Sequence, residues 1–456
     1  MNYLNLAHEA WLSGGRMREN RQRCKRFAYG RQWDEPMRSP DGRIMTEGDY
    51  AALNGQRPMS NNLIRQMVKN LIGYFRSSDD YKLPADDGLS PQAIIDNQLD
   101  ELDSRLLEEF LISGCAIQRV TVEKRLGGTG VWVDNVSPDR FFVNPHTDPR
   151  GGDIEVVGML HDMGRHEMMA RFGGKKLSAD ELWHLYGIDQ GGSLSETDFY
   201  TPQPGKCRVI EVWTLEARSA TRCFDPETRR LFMVGRSEAQ ALKGISSMRK
   251  AKGLQALRTN DCRTLRWHCR YYAPSGVLLD EMDSPYRHQL HPFAVKLYPL
   301  TDGEVHSCVE DVIDQQRYVN RLVTLMDHIL SVSAKGVLLY PLDAKPDDMT
   351  WDEIAETWSD CRGILPYRIP LYGNAMPQQI MSPGGSAGAS ELLKLQMDMF
   401  KQISGVHGPL QGQMSGSAMS ASLFDAQTRN ARVALHDIFE TFQSFRRSRN
   451  RLMATA

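Results

Sequence analysis

Val305, Val309, Val312, Gln316, Val319, Val323, Met326 and Leu330 follow one another at alternating steps of four and three residues. That stepping keeps one stripe on one side of an α-helix, and it predicts a single seamed helix from about 304 to 334. At about 1.5 Å per residue the helix would span about 45 Å. Cys308, Ile313, Leu322 and Ile329 broaden the stripe. An apolar face of this length, with Gln316 as its one polar interruption, calls for a covering helix from the same chain or from a second copy.

The rest of the chain mixes helical and strand periodicities, so the fold class is read as α+β and mainly helical. Helical spacing is expected over 4–12, from about 60 to 75 with Ser60 or Asn61 as N-cap, over 90–112 as one amphipathic helix ended by Gly114, and over 163–172. Ser178 and Glu181 form a capping box for a helix to about 186. Further helices are read over 237–256, 350–359, 391–403 and 417–452. Alternation predicts strands over 117–123, 130–135, 208–215, 264–272, 277–281, 335–341 and 363–369. Polar Gly/Pro/Ser-rich stretches to about 49, over 191–204, 377–390 and 405–416 read as loops or linkers.

Composition narrows the functional classes. The 456 residues are 41% hydrophobic and 25% charged, ordinary globular values that exclude wholesale disorder. No run approaches the ~18 apolar residues of a membrane span, and the N-terminus carries neither the basic nor the apolar region of a signal peptide. A net charge of −2 excludes a polycationic DNA binder. Charge is unevenly placed, however. Residues 205–298 hold seventeen Lys/Arg against nine Asp/Glu, a surplus of eight, which leaves the remainder at −10. The module interleaves this charge with Trp213, Trp267, Tyr271 and Tyr272, which suits a nucleic-acid surface, a solvated basic face or a docking face for an acidic protein. Its helix brings Lys243, Arg249, Lys250 and Lys252 forward as a candidate docking face. The eight cysteines are scattered without a C-x-x-C pair, which fits free thiols in a reducing compartment.

Motifs for chemistry are weak. Gly384-Gly385-Ser386-Ala387-Gly388 matches the G-x-S-x-G nucleophile elbow, with His407 and His436 downstream. The elbow needs a buried strand directly before the serine, yet Ser382-Pro383 stands there, and no strand–helix repeat supplies a parallel sheet. His166-Glu167 opens like a zinc helix but lacks the second histidine. Cys262, His268 and Cys269 lie on or near one strand, with the adjacent pair on opposite faces. Gly173-Gly174-Lys175 lacks the rest of a phosphate-binding loop. No catalytic residue, metal ligand or cofactor is therefore expected. The competing readings are a serine hydrolase using Ser386, a nuclease using carboxylates, or a non-enzymatic ring or adaptor protein.

Several phrases, in order along the chain, resemble tailed-bacteriophage portal proteins, the head-to-tail connectors. They are Tyr29-Gly30-Arg31-Gln32-Trp33; Arg57-Pro58 through Asn62 and Ile64 to Gly73; Gly114-Cys115-Ala116; Pro138-Asp139-Arg140-Phe141 to Asn144-Pro145; His291-Pro292-Phe293 with Asp302-Gly303 and Glu310-Asp311 through Asn320; and Ser415-Gly416-Ser417-Ala418. The resemblance implies a wing (1–162), a first stem region and linker (163–204), a β-containing basic clip (205–300), a long stem helix (301–336), further wing strands with a tunnel loop and its following helix (337–404), and a short helical crown (405–456). Gly384, Gly385, Ser386 and Gly388 would lie in the tunnel-loop neighbourhood, and the seam residues would pack between subunits. It implies a non-enzymatic ring, usually of twelve subunits, assembled in the host cytoplasm and placed at one capsid vertex of the virion. Double-stranded DNA would pass through it without sequence recognition during packaging and ejection. The terminase large subunit, the major capsid protein and a tail adaptor would be its partners, with no cofactor and no membrane span.

Overall fold

The computed structural model describes the chain except residues 1, 79–80, 82–88, 126–127, 187–197, 236–238, 252, 254, 334–336, 360–364, 370–375, 381–385 and 407–420. The fold is α+β, and its named strands pair only antiparallel. The chain forms two compact units. One comprises Met1–Arg21, Phe75–Ser307 and His436–Ala456, the other Gln22–Tyr74 and Cys308–Leu435.

The first unit is built on two sheets. The larger follows the order Leu278–Asp283, Arg258–Tyr272, Cys207–Asp225, Val156–Met163 and Phe141–Val143, with Arg230–Gly235 also pairing with the long Cys207–Asp225 strand. The smaller pairs Phe293–Leu297, Cys115–Arg125 and Gly128–Asn135. Alternation sends Val209, Glu211 and Trp213 to one face of the long strand and Ile210 and Val212 to the other. The first set joins Trp267, Tyr271, Phe141, Phe293 and Ile117 in a core shared by both sheets and closed by helices Arg165–Phe172 and Ala179–Leu185. Ile210 and Val212 are covered by Leu4, Ala7 and Trp11 of helix Tyr3–Ser13. Both faces are thus buried, so the first half of this strand carries little polar alternation.

The last turns of the C-terminal helix Ala421–Ala454 also belong to this unit. Phe439 and Phe442 stack with Phe75, Tyr81 and Phe110. Beside them Asp103 receives Arg446 at 2.7 Å and both terminal nitrogens of Arg449 at 2.9 and 3.1 Å, all three residues being buried. Arg446 also donates to the Tyr81 carbonyl and Arg449 to Gln118. Hydrogen bonding of this density is what makes buried charge tolerable.

In the second unit, helix Ile313–Ser333 packs on helix Ser386–Ser404. The unit also holds hairpin Pro36–Arg38/Ile44–Thr46, helix Glu47–Leu53, most of helix Leu63–Ser77, strand pair Val337–Leu339/Gln378–Ile380 and helix Trp351–Ser359.

Several sequence expectations change. The seamed helix starts at Ile313, after a 3-10 turn at Glu310–Val312. Asp302 and Gly303 both take positive φ and close a tight hairpin, so Val305 lies on strand Glu304–Val305 and not on the helix. The single helix over 90–112 is two, Pro91–Asp96 and Leu99–Ser113. The chain breaks at Gln98 (φ 49°), where the Asn97 amide, still bonded to the Ala93 carbonyl, also reaches the Val131 carbonyl and the Val133 N–H of the neighbouring strand. Gly114 does end the second helix in the left-handed region. The cap of helix Leu63–Ser77 is Asn62, whose Oδ1 accepts the Arg65 N–H, rather than Ser60 or Asn61. The stretch to 49, read as loop, holds the hairpin and helix named above, and strands Phe141–Val143 and Val156–Met163 went unread. The helix over 237–256 is confined to Ala239–Ala251, and residues 365–369 form no strand.

Candidate functional site

The seam is the longest-range feature of the sequence, and its environment changes along its length. Val309, Val312, Gln316 and Val319 are buried, Val323 and Met326 are half-buried, and Leu330 is 57% exposed. The buried half is held by polar contacts that the heptad reading did not include. Gln316 Oε1 accepts the backbone N–H groups of Leu63 (2.8 Å) and Ile64 (3.2 Å), while its Nε2 donates to the Asn61 carbonyl (2.7 Å) and to Asn320 Oδ1 (3.0 Å). Asn320 Oδ1 accepts the Asn61 N–H, its amide donates to Gln32, and Thr324 accepts the Met59 N–H. Gln316, Asn320 and Thr324 stand at i, i+4 and i+8 and form a buried polar ladder alongside the apolar seam. The ladder satisfies the first free N–H groups of helix Leu63–Ser77. On the same helix Arg317 and Arg321 both bond the buried Glu47.

Its second half presents apolar surface. Leu325 and Leu330 are exposed on the seamed helix, as are Leu395, Met399 and Ile403 on helix Ser386–Ser404.

The basic module is a three-stranded ribbon capped by a helix. The second half of Cys207–Asp225 pairs with Arg230–Gly235 on one side and Arg258–Tyr272 on the other. Helix Ala239–Ala251 seats Leu242 against Cys223 and Leu257. Of the named docking residues, Arg249 is committed elsewhere. Its two terminal nitrogens hold Asp225 at 3.0 and 2.7 Å, and the guanidinium keeps that carboxyl down at about 2. Lys250 is exposed, Lys243 lies on the helix with its side chain outside the described residues, and Lys252 is outside them altogether. Sequence reasoning passed over the arginines of the ribbon itself. Arg222, Arg229, Arg230, Arg258 and Arg263 are exposed and form no ion pair among the described residues. Leu231, Phe232, Met233 and Leu265 are exposed among them.

Ser386 is the first residue of helix Ser386–Ser404, and Gly388 is an exposed helical residue. Gly384 and Gly385 lie outside the described residues. The strand before them, Gln378–Ile380, belongs to a two-stranded antiparallel pair. A nucleophile elbow needs the parallel sheet that places its serine, and the described strands supply none.

One buried carboxylate could suggest chemistry. Glu211 is fully buried on the core face of the long strand. It meets Arg119 from the smaller sheet at 3.1 Å, His161 at 2.6 Å and Trp213 Nε1 at 2.7 Å. Burial pushes this carboxyl up, but the Arg119 guanidinium and the His161 and Trp213 hydrogen bonds outweigh that and hold it well below the usual range. Saturated with donors and shut from solvent, Glu211 fastens one sheet to the other. His268 and Cys269 point to opposite faces, as expected: His268 bonds Asp283, and Cys269 enters the core. No cluster of metal-ligating side chains occurs among the described residues.

The polar clusters described above tie helices and sheets together within each unit. The family model described as Phage P22-like portal protein matches residues 5–455, and the chain belongs to that family. It is a phage portal protein with a structural role. No curated protein matches it.

Proposed function

We propose that this portal chain closes into a ring, twelve-fold, at one vertex of the capsid, and that double-stranded DNA is packaged and ejected through its channel without sequence recognition. The family match over nearly the whole chain carries this reading. Physical features support it. The apolar residues left exposed on helices Ile313–Ser333 and Ser386–Ser404 give neighbouring copies a surface to bury in a closed cyclic assembly. The helix Ile313–Ser333 takes the stem role and the ribbon around residues 205–298 the clip role, with wing, tunnel loop and crown distributed over the remaining segments as the resemblance implies. The exposed arginines of the ribbon suit docking of an acidic face on the terminase large subunit or a tail adaptor. The major capsid protein is a further partner. An overall charge of −2 disfavours tight gripping of phosphates, which would stall a moving duplex.

Light scattering on the purified chain, combined with negative-stain imaging, tests the proposal. The expected outcome is a ring of about twelve subunits on the family argument. A stable monomer at micromolar concentration overturns it.

A further inference from the structure

We propose that the outer edge of strand Arg230–Gly235 takes up an extended, acidic segment of a partner polypeptide as an added β-strand. This deepens the docking role proposed above and rests on it.

The strand pairs with Cys207–Asp225 along its whole length, from Ala220↔Gly235 to Asp225↔Arg230. On its other side no strand pairs with it among the described residues. An edge of this kind presents a row of unpaired N–H and C=O groups, a template for a further strand. Proteins usually blunt such edges with proline, inward charge or a bulge. Here the edge reads Arg230-Leu231-Phe232-Met233-Val234-Gly235, and its pairing register is regular. Leu231, Phe232 and Met233 are 61%, 39% and 45% exposed.

Cross-strand partners share a face. Leu231 stands opposite Phe224 and Met233 opposite Arg222, while Phe224 in turn faces Arg258 across the ribbon. The helix Ala239–Ala251 covers the other face through Cys223, Val234 and Leu242. The open face therefore presents Leu231 and Met233 at the edge, with Arg222 and Arg258, which form no ion pair among the described residues, behind them and Arg229 in the adjoining turn. A guest strand with apolar residues at alternate positions would meet Leu231 and Met233, and its acidic residues would meet the arginines. Main-chain bonds would supply affinity, and the alternating side chains specificity. The surplus of arginine makes the occupant acidic and disfavours a second copy of this equally basic ribbon.

Fluorescence anisotropy on the assembled full-length protein tests the proposal. The probe is a labelled hexapeptide alternating Asp/Glu with Val/Ile. Two analogues accompany it, one methylated at alternate amide nitrogens and one with Lys replacing the acids. The acidic peptide should bind, and both analogues should bind at least tenfold more weakly. Leu231→Glu with Met233→Glu, both exposed positions, should abolish binding without moving the melting temperature. Absence of binding by the acidic peptide, or equal binding by the methylated one, overturns strand addition. Equal binding by the lysine peptide overturns the acidic occupant. If the double variant instead breaks the assembly into smaller species, a second copy occupies the edge and the proposal falls. The docking role is read separately. If Arg222→Glu with Arg258→Glu leaves binding of the purified terminase large subunit unchanged, docking itself fails, whereas failure of the peptide arms alone removes only the strand.

Discussion

At the scale of single residues, the sequence hides its most consequential polar groups inside apolar patterns. His291 opens the His-Pro-Phe phrase, one of those that resemble portal proteins, and the structure gives it a physical task. Its ring packs edge-on against Trp267 with centroids 4.7 Å apart, and its Nδ1 accepts the Phe293 N–H at 3.2 Å. An imidazole used as an acceptor at Nδ1 has to be neutral there. Burial, with His288 nearby, lowers it from 6.5 to about 4. His161 and His288 are also lowered, burial being the first cause in each. A histidine whose folded value is depressed takes up its proton first in the unfolded chain. Stability is therefore complete above 6.5 and declines as pH falls toward 4. Urea midpoints should drop between pH 7.5 and pH 5, and His291→Asn, which keeps an acceptor near Nδ1 but cannot titrate, should make that drop smaller. An unchanged drop would remove His291 from the balance. Gln316 illustrates the same concealment. As a lone polar residue in a heptad seam it reads as an interruption, yet its amide satisfies two backbone N–H groups of another helix. The signal was present in the i, i+4, i+8 spacing of Gln316, Asn320 and Thr324, but periodicity analysis weighs only the apolar stripe.

At the scale of elements, long periodic helices were legible and the shortest strands were not. Alternation cannot announce a strand such as Phe141–Val143, three residues long and bordered by a 3-10 turn. Helix limits failed at Asn97, whose amide bonds the neighbouring strand, and at the Asp302–Gly303 turn, where two successive residues take positive φ. The seam now divides into two parts with different consequences. Val319 is 1% exposed within its own unit. Val319→Asp places an unpaired carboxylate there and should cost the subunit several kcal/mol, on the order of 3 or more. The expected result is a chain that fails to fold, before assembly is at issue. Leu330 is 57% exposed, so Leu330→Glu should leave subunit melting within a degree or two while weakening assembly in light scattering. Normal rings from Leu330→Glu would show that this end of the helix faces solvent or channel, and the covering partner would have to be sought at Leu325 or on helix Ser386–Ser404.

At the scale of the whole molecule, charge is the property most plainly written in the sequence, and the structure changes which residues express it. Of the seventeen Lys/Arg in residues 205–298, several are committed to ion pairs. Arg208 is buried against Asp162, Arg270 bonds Glu216, and Arg249 holds Asp225. What remains outward includes the ribbon arginines, Lys206, Lys250 and Arg287. Composition could count these charges but could not sort paired from unpaired, because the pairing depends on strand register. The two kinds should behave oppositely when reversed. Arg249→Glu sets two carboxylates against each other at the root of helix Ala239–Ala251, so it should lower the melting temperature and injure packaging through the fold of the module. Adding Asp225→Arg restores an opposite-charge pair and should recover both. Arg222→Glu with Arg258→Glu touches no ion pair, so rings and melting should be unchanged while DNA packaging or tail joining falls, increasingly so at low ionic strength, where surface charge acts furthest. Complementation of a portal-deficient phage with each variant, alongside melting curves of the purified proteins, separates the two effects. If the charge swap fails to rescue Arg249→Glu, Arg249 itself meets the partner as the helix-face reading held. If the ribbon double variant packages and joins tails normally, the ribbon is not the docking surface.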